Sequence, residues 1–236
     1  MKRTVFYHIC CITLLVFGLG ACIREDVGPY QGDKQTYALT GFDRLDMGSA
    51  FSITVQAGPA FAIVAEGDRR NLDDLDVYTR NGTLFARYRT NRNRQHQTSF
   101  SITMPTVRGV AFSGASQSTI TGFANLSELS IELSGASKSE FVGDAVRTIV
   151  DLSGASVLKL NGRGTALSAE LSGASSLQAF PYPVGEATVD ASGASKASIN
   201  VSNALVADAS GASTIRYRGT PTVRQRVSGA STVQNE

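Results

Sequence analysis

From residue 110 to residue 233, apolar and polar positions alternate in a pattern that returns every 18–21 residues. Each return carries the tetrapeptide Ser-Gly-Ala-Ser, at 113–116, 134–137, 153–156, 172–175, 192–195, 210–213 and 228–231. The position just before it holds Phe112, Leu133, Leu152, Leu171, Ala191, Ala209 and Val227. Three positions before it stand Val110, Ile131, Val150, Ala169, Val189, Ala207 and Gln225. Between these two rows lie Ala111, Glu132, Asp151, Glu170, Asp190, Asp208 and Arg226. Apolar, polar, apolar is the period of a strand with one buried face. The stretch after the tetrapeptide alternates too. Its inward row is Ile120, Phe141, Leu160, Ala179, Ile199 and Tyr217, preceded two residues earlier by Ser118, Ser139, Leu158, Leu177, Ala197 and Ile215. Each period therefore predicts a strand, a tight bend, a second strand and a looser turn such as "NGRG" (161–164), "FPYPVG" (180–185) or "RGTP" (218–221).

This period is too short for the common helical repeats. One winding per period stacks equivalent residues at about 4.8 Å, the strand spacing of a sheet. The prediction is an all-β chain, a single-stranded parallel β-helix or β-solenoid with 18–21 residues per coil. Glycine permits backbone angles at the bend that a Cβ forbids. Alanine is expected to fill the tight corner, and the two serines to form hydroxyl ladders from coil to coil or to bond nearby backbone. Seven identical copies, with no G-x-S-x-G elbow and no partner histidine, exclude serine as a nucleophile.

Residues 36–106 keep the strand alternation without the tetrapeptide. "FSITVQ" (51–56), "FAIVAE" (61–66), "LDVYTR" (75–80), "TLFARYR" (83–89) and "SFSITMP" (99–105) read as strands, and "MGSAFSITV" (47–55) as a degenerate repeat. This part is expected to form irregular first coils that cap an otherwise open strand edge. No helical period of useful length appears after residue 21.

The N terminus changes the picture of where the chain works. Lys2 and Arg3 precede a short apolar run, "CITLLVFGLG" (11–20), that ends in "LGAC" with Cys22. This resembles the lipobox of bacterial lipoproteins, which makes residues 1–21 a signal peptide and Cys22 the lipid attachment residue. Residues 22–36 then read as the lipidated N terminus and a tether, and 37–236 as one solenoid domain. "CIRED" (22–26) resembles a Bacteroidetes lipoprotein export signal, which implies outer-membrane attachment with display on the cell's outer face. Cys10 and Cys11 fall within the signal peptide, so no cysteine is left for a disulfide or a metal site. The formal charge of +2 falls to zero once residues 1–21 are set aside, which removes any bulk attraction to nucleic acid.

The order of "TGFDRLDMGSAFSITVQAG", "NGTLFARYR", "SITMPTVRGVAFSGAS" and the closing "IRYRGTPTVRQRVSGAST" resembles the family described as putative auto-transporter adhesin, head GIN domain. The resemblance runs from about Tyr37 to Val233. It implies a right-handed β-helix and adhesion, and it supplies no catalytic or binding residue to carry over. Many members have Ser-Gly-Ser-Gly where this chain has Ser-Gly-Ala-Ser.

Among candidate chemistries, the outward row stands first. Glu132, Asp151, Glu170, Asp190 and Asp208 are expected to form a column of five acids, one per coil, ended by Arg226. Neighbouring charges about 5 Å apart repel by roughly 0.8 kcal/mol at the dielectric of water. The column therefore needs hydration or neutralisation, to which Lys138, Lys159 and Lys196 across the bend are expected to contribute. It is the candidate surface-binding column, for a basic ligand or a cation, set against a plain solvated face. It lacks the convergent six to eight oxygens that Ca²⁺ takes. "ARYRTNRNRQHQ" (86–97) gathers Arg87, Arg89, Arg92 and Arg94 around Tyr88 and His96 and reads as a polar hairpin rather than an anion site. Tyr30, Tyr182 and Tyr217 are expected to be exposed. No catalytic, cofactor or metal residue is assigned, and no cofactor. The expected role is a non-catalytic adhesion or recognition lipoprotein. Its expected partners are the membrane, through the anchor, and a host or cell-surface glycan or protein. The alternatives are a periplasmic structural or envelope-assembly protein and a polysaccharide-active enzyme. An enzyme needs acids that interrupt the repeat in a groove, and these follow it.

Overall fold

The computed structural model describes residues 28–236. The expected signal peptide, Cys22 and the first part of the tether lie outside them. The chain forms strands almost throughout, wound as a parallel β-solenoid of about seven turns.

The first part builds the closed end. β1 (Gly32–Tyr37) pairs antiparallel with β4 (Ala62–Asp68), and β4 antiparallel with β7 (Ser99–Met104). Residues 32–36, read as tether, thus belong to the sheet. β2 (Arg44–Met47) and β3 (Ser52–Ala57) flank Gly48–Phe51, and they pair in parallel with β8 (Gly109–Phe112) and β9 (Gln117–Leu133) on either side of the first tetrapeptide. The Ser113 N–H bonds the Met47 carbonyl at 3.1 Å and the Gln117 N–H bonds that of Phe51 at 2.9 Å, so the degenerate repeat is a true first bend. β5 (Leu75–Arg80) and β6 (Thr83–Tyr88) form a hairpin through Asn81 and Gly82, both in the left-handed region, and β6 pairs with β2. A single helical turn, α1 (Arg69–Leu72), follows β4, capped by Asp68, whose side chain accepts from the Arg70 N–H.

The body is the repeat itself. β10 (Lys138–Leu152), β11 (Val157–Leu171), β12 (Ser176–Ala191) and β13 (Lys196–Ala209) each run from one bend to the next and pair in parallel, continuing from β9. β14 (Thr214–Arg218) and β15 (Thr222–Val227) both stack on β13, and β16 (Thr232–Asn235) on β14. The inward rows make one core. Phe112, Leu133, Leu152, Leu171, Ala191 and Ala209 are all at most 4% exposed. Where this row shrinks to alanine, Tyr182 turns inward and is fully buried. Its hydroxyl lies 3.0 Å from that of Thr148, also buried, and Gly164 leaves the room its ring needs: a Cβ there would stand 2.9 Å from the ring. This corrects the expectation that Tyr182 is exposed: "FPYPVG" is not a surface turn but part of the continuous strand β12, with residues 180–182 extra against β13.

The bends differ in detail from expectation. All seven tetrapeptide glycines have φ between 65° and 75°. The second serine of each bend is buried from Ser116 through Ser213, yet its hydroxyl usually stays within its own bend: Ser175 donates to the Ser172 carbonyl at 2.7 Å and Ser195 to that of Ser192 at 2.6 Å. The coil-to-coil ladder is carried by backbone instead, with the Ala155, Ala174, Ala194, Ala212 and Ala230 N–H groups each 2.7 Å from the glycine carbonyl of the preceding coil. Hydroxyls bridge coils at Ser213–Ser231 and, outside the tetrapeptide, at Ser118–Ser139. The alanines do not fill the corner; they are exposed on its outer side.

Candidate functional site

The alternation that buries Leu133 and Leu152 turns the residues before them outward. Cross-strand pairing sets Glu132 beside Asp151, Asp151 beside Glu170, Glu170 beside Asp190, Asp190 beside Asp208, and Asp208 beside Arg226. The structure thus brings the five predicted acids together in one column in the predicted order. Glu132, Asp151, Glu170 and Asp190 are exposed and Asp208 is half-buried. The column is longer than expected, since Ala111 pairs with both Glu132 and Asp46. Asp46 precedes the inward Met47 as Glu132 precedes Leu133, and that parallel within the degenerate repeat was the signal for it.

The first serines of the bends run beside the column. Asp46, Glu132 and Asp151 with Ser113, Ser134 and Ser153 line a shallow groove of about 150 Å³. Asp190, Asp208 and Arg226 with Ser210 and Ser228 line another at the far end. Lys138, Lys159 and Lys196 do not reach it. They stand on the strand segments beyond the bend, and among the described residues none of the three forms an ion pair with a column acid. The expected neutralisation by ion pairs is not seen there: each lysine stands at the start of the strand after a bend, whereas the column acids stand at the end of the strands before it. The described residues hold no convergent group of three or more histidine, cysteine or carboxylate side chains suited to a metal ion. A line of single acids at strand spacing offers repeated charge rather than a coordination sphere or an acid–base pair.

The arginine-rich stretch is absorbed by structure. Arg94 ion-pairs with Asp74 and lies over the Tyr88 ring at 3.5 Å; Arg87 pairs with Asp76 at 3.4 Å and lies over the Tyr78 ring. The Tyr88 hydroxyl donates to Thr98 at 2.7 Å. Burial pushes the Asp74 carboxyl up, but bonds from the Thr90 hydroxyl and Arg94 outweigh it and leave it below the usual range. Hydrogen bonds from the Arg70 side chain hold the Asp68 carboxyl far below that range, against its burial. Tyr30 is exposed, edge-on to His96 at 4.9 Å, and Tyr217 is half-buried.

No curated protein matches this chain. Among solved structures it is similar to a putative adhesin from Bacteroides fragilis, with 19% identity and a TM-score of 0.80 over 87% of this chain and 97% of that one. A putative adhesin from Parabacteroides distasonis gives 12% identity and a TM-score of 0.73 over 89% and 98%. A second protein of that organism, described as a putative lipid binding protein, gives 14% and 0.70 over 87% and 96%. At these identities the likeness shows the fold. Residues 41–221 match the family described as putative auto-transporter adhesin, head GIN domain, and the chain belongs to that family.

Proposed function

We propose that this protein is a non-catalytic adhesion or recognition module of the bacterial envelope, with the acidic column as its contact surface for a cationic partner. The observation that carries this reading is the column itself: five acids in register, one per coil, with no ion pair to any of them among the described residues. Each charge contributes little alone at the surface of a protein. A rigid row of them at constant spacing engages a repeating partner at several points at once, where effective concentration multiplies weak contacts. The membership in an adhesin family and the adhesin names of structural neighbours support the same role. Lipid attachment at Cys22, and display from the outer membrane, complete the proposal and rest on the N-terminal sequence alone. In this reading the acids follow the repeat and do not converge, so the polysaccharide-active alternative lacks its catalytic pair.

The test is binding of polylysine-coated beads to the protein and to a variant with Glu132→Gln, Asp151→Asn, Glu170→Gln, Asp190→Asn and Asp208→Asn. Binding should fall about tenfold or more in the variant and weaken as salt rises. Equal binding by both proteins would remove the column from the role. Release of reducing ends from polysaccharides would overturn the non-catalytic reading.

A further inference from the structure

The last coil departs from those before it. β15 pairs with β13 and β16 with β14, each on one side only among the described residues. At the opposite end the first coils are covered by antiparallel β1 and β4 and by the β5–β6 hairpin. The inward row records the difference: Val227 is 45% exposed, whereas Ala209 beneath it is 4% exposed. The edge of β15 therefore offers unpaired backbone groups and an uncovered apolar position together, the elements of strand addition.

Its side chains select what adds. Arg224 and Arg226 stand where the coil below has Val206 and Asp208. On the other half of the coil Arg216 and Arg218 share Glu236, at 3.5 and 3.3 Å, but neither arginine of β15 has an ion pair among the described residues. Two copies of this edge set antiparallel about Gln225 would oppose Arg224 to Arg226, and like charges directly opposite are unfavourable. Pairing with itself is thus discouraged, while a strand bearing acids opposite the two arginines is favoured by charge. We propose that the free edge of β15 is a strand-addition site for an acidic, extended segment of a partner polypeptide. The backbone ladder supplies binding and the two arginines supply choice. The site is nine strand steps from β1 through the sheet, about 43 Å at the usual ~4.8 Å spacing. It begins just past residue 221, where the family match ends.

The probe is a fluorescent peptide copying residues 204–213 with Val206→Glu, so that acids face both arginines, titrated by anisotropy against the protein. Saturable binding is expected. It should weaken about tenfold in the Arg224→Glu/Arg226→Glu variant and return with a peptide carrying arginine at both acidic positions. Both replaced side chains are exposed, and an unchanged circular dichroism spectrum checks the variant's fold. Three results would overturn the proposal. One is no saturable binding to the unmodified protein. Another is equal binding of acidic and arginine peptides. The third is a dimer in sedimentation that the double variant leaves intact, which would put a second copy on the edge instead.

Discussion

At the scale of single residues, the bend is where the repeat is enforced. Gly193 has φ 71°, and a Cβ there would meet the Gly173 carbonyl oxygen at 2.6 Å. Neither strain can relax, because that carbonyl accepts the Ala194 N–H at 2.7 Å. Gly193→Val should lower stability by at least about 2 kcal/mol, read by urea unfolding, while Ala194→Val, on the exposed outer side, should change it little. The two serines of a bend are not equivalent either. Ser175 is buried and bonds the Ser172 carbonyl, whereas Ser172 is exposed. Ser175→Ala should therefore lose about 1 kcal/mol, and Ser172→Ala almost nothing in the same unfolding measurement. The second serine of a bend thus usually serves the backbone of its own bend, while the first lies beside the acids and in places, as at Ser192, donates to a carbonyl of the preceding coil, that of Leu171 at 3.2 Å.

At the scale of elements, the closed end hangs on Asp68. It caps α1, accepts from the Gln31 N–H at 3.3 Å and ion-pairs with Arg70 at 2.7 Å, so β1, β4 and α1 meet at one buried carboxylate. Its folded pKa lies below its ordinary value. It therefore contributes stability that is complete above the ordinary carboxylate range and is lost as pH falls toward the folded value. Asp68→Asn should lose roughly 1–3 kcal/mol at pH 7 and show a flatter acid limb between about pH 4 and 2, measured by thermal unfolding across that range. Sequence patterning located the coils well, because strand alternation and a fixed period are local signals. Met47 with Gly48–Phe51 kept enough of that period to be read as a degenerate bend, and the structure makes it one. Asp68 carried no such signal. Its partners come from Gln31 and from the turn after β4, which only the antiparallel addition of β1 brings together. Tyr182 escaped the pattern for a related reason: residues 180–182 are extra within β12 and shift its register against β13, which breaks the period that would mark it as inward.

At the scale of the whole molecule, the solenoid turns one local rule into long parallel rows. The same alternation that fills the core with Leu133, Leu152 and Leu171 aligns Glu132, Asp151 and Glu170 outside. The column was legible before any coordinates because register follows from the repeat. The lysines were legible as lying across the bend, but their reach was not, since whether a side chain spans the bend depends on the bend's three-dimensional path rather than on its spacing in sequence. In the proposed role this row of acids faces the outside of the cell. The most direct measurement is protease shaving of intact cells, followed by an immunoblot for this protein beside a periplasmic marker, with lysed cells showing that the fold can be cut. Loss of the protein signal with the marker intact is the predicted result for an outward-facing adhesion module. Protection until the outer membrane is opened would contradict it and give the protein a role inside the envelope.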